Sequence, residues 1–206
     1  GAAGSAVGVR VTAERASRGL RPLTRDGDLA QAARHHATDM VRHDYFSHTS
    51  PSGKSFADRI REAGYGNPAG TIRKAIGVGV VGANVEDQMK PLDEAVRGVA
   101  AIMDAAISEG VPDFVLNART DAFVLGRKRD QGEGLADAIE RGKAYLEAGA
   151  PTVFVPGLLD EDQISTLVDA FGPQRLTVIG FPGSTPLPRL AELGVARISY
   201  GPQPLR

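Results

Sequence analysis

Gly64-Tyr65-Gly66-Asn67-Pro68 is the stretch on which the fold turns, because the patterning of the chain changes across it. Upstream the sequence reads as helices, carries 10 Lys/Arg against 7 Asp/Glu, and holds all four histidines. Downstream, with 14 Lys/Arg against 18 Asp/Glu and no histidine, short apolar runs alternate with amphipathic stretches. Gly, Asn and Pro are turn formers, so the stretch reads first as a joint between a helical segment, residues 1–63, and a second segment, residues 64–206.

Forward from the joint, the pattern predicts a short helix over 71–76, then alternating strands and helices. Strands are expected at 80–85, 114–118, 152–155, 176–179 and 196–199, and helices at 92–108, 135–147, 161–171 and 187–193. Parallel neighbours need a crossover, so this order predicts βα units and a parallel sheet. The class is α/β; a partial (β/α) barrel of the TIM type is what the family resemblance given below implies. Five units cannot close an eight-stranded barrel. The open sheet therefore keeps an edge and a face to be covered, by the upstream helices or by a second copy of the chain.

Gly77-Val78-Gly79-Val80-Val81-Gly82 fits the dinucleotide fingerprint G-x-G-x-x-G letter for letter. That motif works after a strand and at a helix N-terminus, where backbone amides meet the pyrophosphate. Here it follows a helix and enters a strand, which makes it a glycine helix stop.

Strand alternation decides which side chains share a face. Asn84 and Glu86 lie together on one strand, and Asn117 and Arg119 on the next, polar toward the C-terminal end where barrel active sites sit. Glu86 and Arg119 are then candidates for the barrel mouth. Alternatively, Glu86-Asp87 and Arg119-Thr120-Asp121 are turn residues paired with one another.

Several motifs in order carry a family resemblance: Gly64-Tyr65-Gly66-Asn67-Pro68, Asn84-Val85-Glu86-Asp87-Gln88, Asn117-Ala118-Arg119-Thr120-Asp121-Ala122, Val153-Phe154-Val155-Pro156-Gly157, and Leu190 to Val195 with Arg197-Ile198-Ser199. Together they resemble the isocitrate lyase and phosphoenolpyruvate (PEP) mutase superfamily. That resemblance implies a (β/α) barrel with a swapped last helix, and Mg²⁺-dependent making or breaking of C–C or P–C bonds beside a carboxylate. It places Glu86 in the metal shell and in catalysis, and Arg119 on the substrate's acidic groups, with Asn117, Tyr65 and Gly66 as further substrate contacts. A hard cation suits an enolate-like oxyanion, and an arginine fork suits a second acidic group.

The departures are equally specific. The family's metal-binding Asp-x-Asp/Glu falls, without a gap, on Ile60 and Glu62, so only Glu62 is left for the metal. The gating loop after Gln88 is reduced to Met89-Lys90-Pro91. A lyase acting on small 2-oxo or hydroxy carboxylates is implied, impaired or inactive in its metal site and lid.

Backward from the joint, residues 9–18 suit a helix ending at Gly19, and Asp26 or Asp28 can cap the next. In that next helix Leu29, Ala33, His36 and Met40 form one face. His36 there is a core histidine or a ligand, and His48, twelve residues on, could converge with it on one pocket. Two histidines alone do not make a zinc site. The runs Arg21-Pro22-Leu23, His36 to Met40, Tyr45 to Gly53 and Arg59 to Tyr65 resemble the first half of a domain of the cysteine-rich secretory, antigen 5 and pathogenesis-related (CAP) superfamily. That resemblance makes His36 and His48 cavity histidines of an α-β-α sandwich. The sandwich's sheet has no counterpart in this sequence, which implies an unformed pocket and a chimeric chain.

Composition bounds the rest. A net charge of -1 and a pI near 6.5 point away from nucleic acid. No apolar run approaches the roughly 20 residues of a membrane span. With no cysteine, disulfides, thiolate metal sites and a cysteine nucleophile are excluded. Residues 1–9 are small and apolar with no basic leader before them; the expected location is cytoplasmic, or secreted if the upstream resemblance governs. A small carboxylate is the expected partner, together with a homo-oligomer formed through the open barrel edge or by helix swapping. The competing readings are a CAP-type binding or interaction module and a fusion product without function.

Overall fold

A computed structural model of the chain describes residues 2–20, 22–24, 26–63, 68–124 and 131–200. Gly64 to Asn67 lie outside these, and with them the substrate contacts expected of Tyr65 and Gly66. The chain forms two compact units: residues 1–81 with 105–111, and residues 82–104 with 112–206.

The first unit is helical: α1 (Ala2–Ser17), α2 (Gly27–Arg42), α3 (Phe56–Glu62) and α4 (Pro68–Gly77). α1 starts earlier than the sequence suggests but stops where expected, with Gly19 in the left-handed region at φ 68°. Asp26 caps α2, its Oδ1 accepting the Leu29 amide at 2.9 Å. α3 opens with a capping box between Ser55 and Asp58. These hydrogen bonds and the Arg61 guanidinium hold the Asp58 carboxyl down at about 2. α2 is amphipathic yet has no buried residue. Among the described residues of this unit the buried apolar side chains are Ile72, Ala105 and Ala106.

The glycine-rich stretch is a helix exit. Gly77 ends α4, and Gly79 sits at φ 95°. A Cβ on Gly79 would stand 3.1 Å from the Pro22 carbonyl oxygen. Arg15 donates to the Gly79 carbonyl at 2.9 Å, and Val80 still bonds back to Ala75. That backward bond explains why the strand begins at Gly82 and not at Val80.

The second unit carries β1 (Gly82–Glu86), β2 (Val115–Arg119), β3 (Thr152–Phe154), β4 (Leu176–Ile179) and β5 (Arg197–Ser199). They pair in parallel in the order β1-β2-β3-β4-β5. The helices are α5 (Leu92–Ser108), whose residues from Ala105 on belong to the first unit, α6 (Gln131–Glu147), α7 (Glu161–Phe171) and α8 (Leu187–Glu192). Sequential parallel order is the local rule of a (β/α) barrel, and five strands make a half-barrel arc. One face is aliphatic: Val153, Val155, Leu176 and Val178 are buried against Ala138 of α6, Ile164, Leu167, Val168 and Phe171 of α7, and Leu190 of α8. Gly142 of α6 lets the Phe171 ring pack where a Cβ would overlap it. The opposite face is polar, and it carries the candidate site.

Candidate functional site

Register places the polar residues in rows. Asn84 lies opposite Asn117, which lies opposite Thr152; one step on, Glu86 lies opposite Arg119, and Arg119 opposite Phe154. The Asn row is a structural tie. Asn117 is 1% exposed; its amide nitrogen donates to Asn84 Oδ1 at 2.6 Å, and its oxygen accepts from Thr152 at 3.0 Å and Thr177 at 2.9 Å. Thus the structure uses Asn117, expected as a substrate contact, to join strands.

The next row forms the strand-end cluster. Arg119 Nε and Nη2 donate to Asp121 Oδ1 at 2.7 and 2.6 Å. Arg119 Nη1 stands 3.6 Å from Glu86 Oε1, and the guanidinium lies over Phe154, 6.0 Å from the ring centre. Glu86 and Arg119 are each 18% exposed at the side chain, so this edge of the cluster is partly exposed. Asp121 is buried, and desolvation raises its pKa above the ordinary value; the Arg119 charge and hydrogen bond oppose that shift, while Glu86 and Asp87 add to it.

Asp87 is the hub beneath. Oδ1 accepts the amides of Met89 and Asp121, both at 3.0 Å. Oδ2 accepts the Tyr145 hydroxyl at 2.6 Å and Arg141 Nη1 at 3.2 Å. Arg141 also donates to Asp137 at 3.0 Å. Burial raises the Tyr145 pKa, and the bond to Asp87 raises it further. Burial alone would lower Arg141, but Tyr145, Asp87 and Asp137 outweigh it and hold the guanidinium above its usual value. Two consecutive non-glycine residues, Gln88 at φ 52° and Met89 at φ 54°, occupy the left-handed region. Such strain persists only where surrounding contacts over-determine it. Here the Gln88 amide is held by Asp121 Oδ2 at 3.2 Å and that of Met89 by Asp87.

Tyr145, Arg141 and Asp137 were not singled out in the sequence. The available signal was their spacing of four on α6, which sets polar groups in line with the apolar stripe of Ala138 and Gly142. Their partner Asp87 is 58 positions from Tyr145, a separation that no local pattern reveals.

These residues do not make up a resident cation site. Asp87 has both oxygens filled by donors, Asp121 is tied to Arg119, and Glu86 stands 3.6 Å from the same guanidinium. Glu62, its expected companion, ion-pairs with Lys54 at 2.8 Å. Among the described residues no group of three or more His, Asp or Glu could hold a metal ion.

The first unit has its own groove of about 730 Å³, lined by His36, Asp39, Lys54, Arg59 and Glu62 among others. Of the two histidines expected to share a pocket, His36 lines this groove. His36 Nε2 meets the Ser47 carbonyl at 2.9 Å, and Tyr45 donates to Asp39 at 2.5 Å, the chief reason that the Asp39 pKa is lowered. His48 does not line the groove; its carbonyl accepts Arg59 Nη2 at 2.7 Å.

Sequentially ordered parallel strands with polar groups gathered at their C-terminal ends define a protein of the (β/α)-barrel class. Residues 60–206 match the family model of phosphoenolpyruvate phosphomutase, and the chain belongs to that family, within the isocitrate lyase and PEP mutase superfamily. The 2-methylisocitrate lyase of Escherichia coli K12 is 34% identical over 152 residues, 68% of this chain and 48% of that enzyme. Oxaloacetate acetylhydrolase, solved with its product oxalate, matches with a TM-score of 0.54 at 29% identity, over 66% of this chain and 49% of that one. Phosphonopyruvate hydrolase, solved with oxalate and Mg²⁺, matches with a TM-score of 0.53 at 25% identity, over 67% and 51%. The chain thus spans about half the length of these relatives. Residues 10–103 match the model of the cysteine-rich secretory protein family, so the two-family composition read from the sequence holds. Among the described residues no helix is long and apolar enough to cross a membrane.

Proposed function

We propose that the second unit binds small 2-oxo or hydroxy carboxylates at the strand-end cluster, as a lyase-family member whose bond-breaking step is impaired or lost. The observation that carries this reading is the state of Arg119. One edge of its fork is fixed on Asp121, while Nη1, 3.6 Å from Glu86, belongs to the partly exposed edge of the cluster. A planar guanidinium held in this way is preorganised for a carboxylate. Impairment is supported by the want of a cation donor set among the described residues and of a long connection after Gln88, where Met89-Lys90-Pro91 stands. Both would be needed to stabilise an enolate-like oxyanion and to exclude water.

Binding should be weak, with Kd on the order of 1 mM, because an acidic ligand joins a cluster that already holds Glu86, Asp87 and Asp121 against Arg119 and Arg141. The test is Mg²⁺-dependent cleavage of 2-methylisocitrate and oxaloacetate by the intact chain. Background turnover together with measurable oxalate binding is expected; cleavage at an ordinary enzymatic rate overturns the impaired reading.

A second reading, a binding module centred on the first unit, is favoured by the groove beside His36. It fails if replacing His36 and His48 together leaves thermal stability and every bound partner unchanged.

A further inference from the structure

We propose that Tyr145 and Arg141 of α6 are positioning residues for Arg119, acting through Asp87 and Asp121. The inference rests on the proposed reading of Arg119 as the carboxylate contact, and adds to it the device that aims the fork.

The path is continuous and buried. Tyr145 is 1% exposed and Arg141 8%. Both donate to one oxygen of Asp87, at 2.6 and 3.2 Å, which turns the other oxygen toward the Met89 and Asp121 amides at 3.0 Å each. Holding the Asp121 amide fixes where the Asp121 side chain leaves the backbone, and its Oδ1 takes Nε and Nη2 of Arg119. Holding the Met89 amide keeps Gln88 and Met89 in the left-handed region, and the Gln88 amide then meets the second Asp121 oxygen. Asp121 is thereby located at three points: its own amide and both carboxylate oxygens. An arginine side chain has several rotatable bonds, and a fork fixed on its Nε edge loses most of that freedom before a ligand arrives. Residues on α6 thus decide where the ligand-facing edge of Arg119 points without touching the ligand.

The experiment compares intact wild type with Tyr145→Phe, which removes one oxygen and leaves the ring packing. Arg141→Met, and Arg141→Lys as its conservative counterpart, test the second donor. The first readout needs no ligand: the exchange rate of the Arg119 Nε–H with solvent, followed by NMR. Loosening should speed this exchange about tenfold in Tyr145→Phe and in Arg141→Met, with Arg141→Lys between Met and wild type. The second readout is oxalate affinity by calorimetry well below the melting temperature, expected to weaken roughly three- to tenfold in the same variants. Val168→Ala, a core change on α7, serves as the stability control. It should lower the melting temperature and leave both readouts at wild-type values.

Unchanged Arg119 exchange in folded Tyr145→Phe overturns the proposal whatever oxalate does. Faster exchange with unchanged oxalate affinity also overturns it, because the fork would then be aimed without consequence. If wild type shows no oxalate binding, the carboxylate reading itself fails, and the exchange comparison still decides whether α6 holds Arg119.

Discussion

Arg119 stands between two carboxylates and an aromatic ring, and each neighbour has a separate consequence. Replacing it with Lys keeps the charge but removes the planar fork, so the Asp121 tie and the ligand edge are both lost. Next to it, the Thr120 hydroxyl is fully buried and has no hydrogen-bond partner among the described residues. An unsatisfied buried hydroxyl costs about 1–3 kcal/mol. Thr120→Val is therefore expected to raise the unfolding free energy by roughly 1 kcal/mol in a urea titration, whereas most buried substitutions lower it. Asp121 gives a pH signature. Its folded pKa lies above the ordinary value of 3.8. Its favourable contribution is therefore fully present below the unfolded value and is lost as pH rises through the folded one. Relative to Asp121→Asn, wild type should gain stability as pH falls from neutrality toward the carboxylate range, measured by denaturant midpoints. Arg119 and Glu86 were legible in the sequence because period-two alternation puts them on one face. Tyr145 and Arg141 were not, because their partner is joined to them only by the fold.

At the scale of elements, α6 and α7 pack through a glycine. Gly142→Ala would drive a methyl into the Phe171 ring. Overpacking of this kind costs about 1–3 kcal/mol, to be read as a lowered midpoint in chemical denaturation without loss of the far-ultraviolet helical signal. Elements with strong local signals were legible to the residue: α5, α7 and β4 run where periodicity puts them, α7 behind a capping box of Asp160 and Gln163. Boundaries shifted where local bonding outweighed pattern, as at Val80, whose apolar side chain suggests a strand while its amide closes the end of α4. The left-handed pair Gln88 and Met89 was illegible, because neither residue favours that region and two aspartates, one of them 33 positions away, hold their amides.

At the scale of the molecule, the two units differ in what stabilises them. The second has a continuous aliphatic core between sheet and helices, while the described part of the first has few buried apolar side chains and relies on caps and surface ion pairs. Each well-buried aliphatic side chain contributes about 1.5–3 kcal/mol, whereas exposed ion pairs contribute roughly 0–1 kcal/mol each. Hydrogen exchange should accordingly protect amides of β2, β3 and β4 far longer than those of α2 and α3. Uniform protection across both units would contradict that ordering.

The most direct test of carboxylate recognition at the strand ends is the melting temperature of the intact chain with oxalate, at matched ionic strength, for wild type and Arg119→Ala. At roughly ten times Kd a ligand of the folded state adds about 1.4 kcal/mol. For a chain of this size that is a rise of about 3–6 °C. Such a rise in wild type, nearly the same with and without Mg²⁺ and absent in Arg119→Ala, is the expected result. No rise in wild type, or an equal rise in the variant, would contradict it.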